Sequence, residues 1–252
     1  MTSSKLMVPE MSLLRTYIDL SQGILYIESP RCKGRLQITL NSSPCNDKRE
    51  QISWHGQIYQ VQGYNKEVDT WFSTAIGRPC TLLRHMSSSH CVSSCERDGI
   101  GTCRESRSRL NFPNEAQFLL ISEESVSDLN NRLNSNAGKD VRRTSIQINP
   151  MRFRPNLVIS GGRPYAEDEW RNIKIGNKYF RSLGGCNRCQ MINFVIDAEQ
   201  VQKTNEPLAT LASYRRVKGK ILFGVLLRYE SEAGEGKTDD LWLQVGESII
   251  PE

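Results

Sequence analysis

One segment constrains this chain more than any other: Gly184-Gly185-Cys186-Asn187-Arg188-Cys189-Gln190, running straight into the apolar Met191-Ile192-Asn193-Phe194-Val195-Ile196-Asp197. The two glycines permit a tight backbone turn, and the apolar run predicts a strand that anchors the turn in a sheet. Two thiols stand three positions apart with an arginine between them. A nearby cation favours thiolate over thiol, and the thiolate is both the nucleophile and the metal ligand. The segment therefore predicts a loop that presents sulfur. Two bland alternatives stand beside that reading: Cys186 as a small half-buried hydrophobe, and Arg188 as an ordinary solvated cation.

Composition decides the setting. With 252 residues, 38% of them hydrophobic, the chain can build one large core or two small ones. Nowhere does it approach the roughly 18 consecutive apolar residues of a membrane helix, and Met1 to Glu10 lacks the basic start and apolar block of a signal peptide. The expected location is cytoplasmic, away from any membrane. In that compartment eight cysteines point to thiol, metal or redox chemistry before disulfides. A net charge of +5 permits an anionic ligand, but scattered arginines with no aromatic interleaving argue against nucleic acid.

The pattern is of strands more than helices. Ser12 to Leu20 and Gly23 to Glu28 form a predicted hairpin about Ser21-Gln22-Gly23, and Arg35 to Leu40 adds a strand. Val68, Trp71, Phe72 and Ile76 recur at helical spacing, with Gly77 as the stop, before a short strand over Cys80 to Arg84. Phe118 to Ile121 is a buried-type strand leading into a helix capped by Ser122, with Val126, Leu129 and Leu133 inward and an exposed capping turn suited to an anion. Asn134 to Arg143 is predicted as a polar connection. Asn205 is predicted to cap a helix that carries Leu208, Leu211 and Ala212 inward and ends at Tyr214-Arg215-Arg216. Ile221 to Arg228 and Leu241 to Val245 are predicted strands on either side of the acidic loop Glu230 to Asp240.

Three further features bear on chemistry. Residues 86–109 are polar and serine- and cysteine-rich, predicting an exposed flexible insertion. A zinc site from His90, Cys91, Cys95 and Cys103 is the alternative there, weakened because adjacent His90 and Cys91 rarely reach one ion and no partner CxxC lies nearby. Arg154 precedes Pro155, so its backbone is expected to be extended, mounting a guanidinium suited to bidentate phosphate contact, with Asn156 beside it. A plain salt bridge from Arg154 to Glu167 or Asp168 competes with that role. Asn114-Glu115-Ala116 forms a turn whose backbone amides could face a ligand.

These pieces, in order, are Asn114-Glu115-Ala116-Gln117-Phe118-Leu119-Leu120-Ile121, Phe153-Arg154-Pro155-Asn156, Ala166-Glu167-Asp168-Glu169-Trp170, Cys186-Asn187-Arg188-Cys189-Gln190-Met191, Glu206-Pro207-Leu208-Ala209-Thr210-Leu211 and Ser213-Tyr214-Arg215. Together they resemble the MOSC domain of eukaryotic molybdenum cofactor sulfurases, in wording closest to the plant enzymes, from about Pro9 onward and most weakly in residues 86–109. The resemblance implies an α+β, mainly β fold: a MOSC-type β-barrel with a few peripheral helices spanning residues 10–252. Residues 1–9 read as an abrupt start, with the barrel short of its N-terminal strands.

The resemblance also implies a function. Such a domain binds molybdenum cofactor, the molybdenum-molybdopterin complex, and takes part in replacing an oxo ligand on the metal with sulfide. The sulfurated cofactor would activate xanthine dehydrogenase and aldehyde oxidase, with a cysteine desulfurase domain as sulfur donor. That donor uses pyridoxal phosphate in the full-length family, and nothing in these residues resembles it. Related MOSC oxidoreductases bind molybdenum through the second cysteine of the loop, which is Cys189 here. Cys186 is a second catalytic candidate. The implied cofactor-binding set is Arg154, Asn156, Asn114, Glu115, Ala116, Arg188 and Arg215. Two other readings remain: an oxidoreductase reducing N-hydroxylated compounds, and a non-catalytic, zinc-stabilised interaction module.

Overall fold

The computed structural model describes residues 8–41, 49–54, 57–86, 116–137, 147–197, 200–230 and 242–252. They divide into two compact units, Met1–Cys91 with Asn193–Thr204, and Val92–Ile192 with Asn205–Glu252. In the first unit, β1 (Arg15–Asp19), β2 (Ile24–Glu28) and β3 (Leu36–Thr39) form one antiparallel sheet. A second sheet joins β4 (Arg49–Trp54), β5 (Gln57–Gly63) and β6 (Leu83–His85). Between β5 and β6 lies helix α1 (Lys66–Ile76), capped by the Asn65 side chain accepting from Val68 N at 3.0 Å and ended by Gly77 at φ 78°. Val68, Phe72 and Ile76 pack with Ile27 and Ile38 as the spacing predicts. The predicted first hairpin is present, its turn held by the Asp19 carboxylate accepting from the amides of Ser21 and Gln22.

The second unit contains β7 (Phe118–Ser122), α2 (Glu123–Ala137), β8 (Leu157–Ile159), β9 (Asn172–Ile175) and β10 (Lys178–Asn187). The chain then contributes the hairpin β11 (Phe194–Asp197) and β12 (Gln200–Lys203) to the first unit. It resumes the second with α3 (Leu208–Tyr214), β13 (Arg216–Val217), β14 (Lys220–Glu230) and β15 (Ile249–Pro251). The strand order is β15-β9-β10-β14-β7-β8, with β13 on β14; β7 and β8 pair in parallel and the other pairs are antiparallel. The fold is α+β and mainly β, as expected.

Gly224 turns β14 over in mid-strand. Residues two apart in a regular strand share a face. Yet Ile221 and Phe223 pack with Ile121, Leu129, Phe153 and Leu211, whereas Val225 and Leu227 pack with Leu120, Ile173 and Phe180. The residue between, Gly224, has φ 76°, and a Cβ there would collide with the Ile121 side chain and lie 2.8 Å from Leu120 O. One glycine thus lets a single strand serve two cores.

Several expectations change. The segment Leu241 to Val245 is not a strand where described: residues 242–244 are irregular and a turn follows. Asn134 to Ala137 continue α2 instead of leaving it. The cap of α3 is Pro207, not Asn205, and the Glu206 carboxylate supplies the first-turn contact by accepting from Thr210 N at 3.0 Å. Residues 87–115, which include His90, Cys91, Cys95, Cys103, Asn114 and Glu115, lie outside the described residues, as does most of the acidic loop after Glu230.

Candidate functional site

The sulfur segment is built differently from the loop its glycines suggest. Gly184 and Gly185 lie inside β10, where the register against β14 shifts twice, between Ser182 and Gly184 and again between Gly185 and Asn187. Gly184 has φ 98°, and Gly185 runs against the Leu222 side chain, which a Cβ would meet at 3.2 Å. Bulges of this kind re-aim the side chains that follow them, and the one that follows is Cys186. The strand anchoring the segment precedes it, because Gln190–Asn193 form a 3-10 turn and only Phe194–Asp197 of the apolar run is extended. Asn187 locks the strand end: its Oδ1 accepts from Ile221 N at 3.1 Å, and the next amide, Arg188 N, donates to Ile221 O at 2.8 Å.

Arg188 is half-buried and points inward, not to solvent. Its Nη1 lies 3.1 Å from Cys186 Sγ, its Nη2 donates to Phe153 O at 2.8 Å, and the guanidinium carbon sits 5.3 Å from the Phe153 ring centre. One arginine therefore ties the first thiol to the residue immediately before Arg154. A second lacing comes from the other side, where Arg152 Nε donates to Ile192 O at 2.8 Å. Burial pushes the Arg152 guanidinium below its ordinary pKa. Phe153 itself is 1% exposed and stacks on Phe223 at 4.4 Å, which gives the turn a rigid floor.

Arg154 caps the 3-10 turn Pro150–Phe153 with φ 56° and ψ 52°, a left-handed conformation in place of the extended one expected before proline. That geometry is costly for a non-glycine residue and costlier before Pro155. It persists because the turn is fixed on both sides, by Phe153 in the core and by Asn156. Asn156 N donates to Leu119 O at 2.9 Å, while its Oδ1 accepts from Leu119 N at 2.8 Å. The Asn156 carbonyl oxygen is thus spent on joining the turn to β7. Arg154 is exposed, and its guanidinium makes no hydrogen bond or ion pair among the described residues.

The competing salt bridge from Arg154 is absent because both acids are taken. Asp168 pairs with Arg215 at 2.6 Å. Glu167, 2% exposed, accepts through Oε1 from Ser125 Oγ at 2.6 Å, and its Oε2 has no hydrogen-bond partner among the described residues. Burial raises the Glu167 pKa, with the Ser125 hydrogen bond opposing it. Arg215 also donates from Nε to Leu222 O at 2.9 Å and lies over the Tyr165 ring at 4.6 Å. Tyr165 in turn donates to Asp128 at 2.7 Å and shares a hydrogen bond with Tyr214 at 2.8 Å; burial pushes its hydroxyl pKa far up.

The other residues are readily placed. Cys189 is exposed; its carbonyl accepts from Ile192 N, and its thiol makes no hydrogen bond among the described residues. Ala116 is 8% exposed, and its two partners in the predicted turn, Asn114 and Glu115, are outside the described residues. The capping turn of α2 is not an open anion site. Ser122 is buried, and the Glu124 carboxylate already accepts from Ser122 Oγ at 2.8 Å and from Gly161 N at 2.5 Å. Among the described residues no three acids, cysteines or histidines converge as a metal site, and no helix is long and apolar enough to cross a membrane. Sequence reasoning missed Arg152 and Ser125; the Met151-Arg152-Phe153-Arg154 alternation was the available signal for the first.

The arrangement leaves a soft sulfur at Cys189 and an unspent guanidinium at Arg154, with the Cys186–Arg188–Phe153 link between their segments. The MOSC domain model matches residues 107–250. The molybdenum cofactor sulfurase of Solanum lycopersicum is 58% identical over 246 residues, which is 97% of this chain and 30% of that protein. Its counterpart in Arabidopsis thaliana is 51% identical over 245 residues (97% and 29%), and that of Homo sapiens 32% over 248 residues (96% and 26%). The chain spans about 30% of the length of the plant relatives it matches. A family match over more than half of its residues, a range that includes the bulged cysteine segment and the arginine turn, makes this chain a member of the MOSC domain family.

Proposed function

We propose that this chain binds molybdenum cofactor as its substrate and supports sulfuration of the metal, the part of a molybdenum cofactor sulfurase that holds the cofactor while sulfur is delivered. The observation that carries the reading is the bridge from Cys186 through Arg188 to the Phe153 carbonyl, which fixes the sulfur segment to the arginine turn while leaving Cys189 and Arg154 uncommitted. The pterin end of the cofactor is anionic, and an arginine with all its donors free suits a phosphate. The metal is already held by sulfur in the cofactor, and a thiolate is its natural further partner. When bound, the cofactor supplies the molybdenum on which an oxo group is exchanged for sulfide.

Within this scheme Cys189 meets the metal, Arg154 holds the phosphate, and Arg188 keeps their two segments in register. Sulfur comes from a cysteine desulfurase, and xanthine dehydrogenase and aldehyde oxidase are the recipients, all in the cytoplasm. Arg215 joins Asp168 to the Leu222 carbonyl and so steadies the frame. The test is to express the chain in a host that makes molybdopterin and to measure sulfide bound to molybdenum, by X-ray absorption at the metal, after incubation with a desulfurase. Wild type is expected to gain sulfur and Cys189→Ser to gain none. Equal gain in both would remove Cys189 from the reaction, and metal-free, pterin-free protein would remove the reading itself.

A further inference from the structure

The two thiols of the segment differ in surroundings. Cys189 is exposed and its sulfur has no hydrogen-bond partner among the described residues, whereas Cys186 is half-buried with a guanidinium nitrogen at 3.1 Å from its sulfur. That guanidinium cannot swing away cheaply. Its other terminal nitrogen is held by the Phe153 carbonyl, its Nε is buried, and its central carbon sits over the Phe153 ring. A fixed cation against sulfur stabilises the thiolate over the thiol. The bulge created by Gly184 and Gly185 sets the direction of that sulfur. Exposure alone would select Cys189 as the reactive thiol, but the electrostatics select the other.

We infer that Cys186 is the chain's nucleophilic thiolate, held by Arg188 as a positioning residue, and that it takes sulfane sulfur from a persulfide on another molecule while Cys189 is kept for the metal. This rests on the sulfuration reading for its purpose, although its chemistry needs no cofactor. The Cys186 thiolate attacks the outer sulfur of a donor R–S–SH. An S–S bond forms to Cys186 as the donor's S–S bond breaks, and the electron pair leaves on the donor sulfur as thiolate. The proton stays on the transferred sulfur. The Cys186 sulfur is oxidised as the donor sulfur is reduced, so no outside oxidant or reductant enters.

Alkylation tests the thiolate and persulfide loading tests the transfer. The chain is treated briefly with iodoacetamide at neutral pH and digested with trypsin, which cuts after Arg188 and places the two cysteines on separate peptides. Cys186 is expected to label faster than the more exposed Cys189. In Arg188→Gln, read by fragmentation of the joined peptide, Cys186 should label about tenfold more slowly, with Cys189 unchanged, and Arg188→Lys should recover part of the rate. Glutathione persulfide is then expected to leave one added sulfur on wild type and on Cys189→Ser but none on Cys186→Ser. Faster or equal labelling of Cys189 in wild type, a Cys186 rate indifferent to Arg188→Gln, or added sulfur persisting in Cys186→Ser would each overturn the inference. Should Arg188→Gln fail to fold, the comparison of the two thiols within wild type and the Cys186→Ser loading still decide. Loss of cofactor in the assay of the preceding section would leave these results untouched, so the two readings fail separately.

Discussion

Arg154 and Arg215 lie in the same compact unit and both belong to the set implied for an anionic ligand, yet their surroundings are opposite. Around Arg215 the polar groups are paired among themselves: Asp168 takes its Nη2, the Leu222 carbonyl its Nε, and Tyr165 its face. Ser125 and Glu167 beside it close on each other. Around Arg154 the protein pays a backbone penalty to hold the residue at φ 56° and then leaves its guanidinium exposed. Strain of this sort, of order 1–3 kcal/mol, persists where the surrounding structure over-determines it and clusters at ligand sites. The contrast separates a frame, whose charges are consumed, from a site, whose charges are kept available.

The frame should fail first at its tightest point. Gly224→Ala puts a methyl into Ile121 and Leu120 O at a positive φ, and is expected to cost about 4 kcal/mol in chemical unfolding; a loss below about 1 kcal/mol would mean that the sheet crossing is loosely packed. Arg215→Ala leaves the half-buried Asp168 without its partner and should cost about 2 kcal/mol while leaving affinity for the pterin cofactor within a few-fold. A large affinity loss at unchanged stability would place Arg215 in the site and erase the contrast.

Glu167 gives the comparison a pH dependence. Its pKa is raised in the folded chain, above all by burial, with Asp168 adding and Ser125 and Arg215 opposing. The native state therefore keeps a proton that the unfolded chain releases above the ordinary carboxylate value, so stability falls as pH rises through that window. Glu167→Gln should flatten this decline, and parallel melting temperatures against pH for the two proteins would refute the assignment. The smallest effect is expected from Arg154→Gly, which relieves the left-handed strain and should stabilise the fold by about 1 kcal/mol while weakening cofactor binding. Gain of stability with loss of function is the behaviour of a site.

Periodicity and turn chemistry made much of the frame legible. Val68, Phe72 and Ile76 announced α1, Ser122 with Val126, Leu129 and Leu133 announced α2, and the run from Ile221 announced β14. What sequence could not show was where glycines act within strands. Gly184 and Gly185 read as turn formers and Gly224 as part of an ordinary strand, but they are bulges and a pleat reversal, because tertiary packing sets φ there. Arg154 misled for the same reason, since the preference of a residue before proline was overridden by the buried Phe153 and the Asn156 clamp. The cysteines and Arg154 could be named from their order; that Arg188 would join them depended on a contact between positions 35 residues apart.

The central claim is that Arg154 is held in its costly conformation to grip the anionic end of a pterin ligand. Its most direct test is titration of isolated molybdopterin into wild type and Arg154→Ala, followed by pterin fluorescence, with melting temperatures recorded on the same samples. Binding should weaken by about a hundredfold, as expected for loss of a charge-assisted bidentate contact, while Arg154→Ala melts no lower than wild type. Unchanged affinity in a folded Arg154→Ala protein would contradict the account.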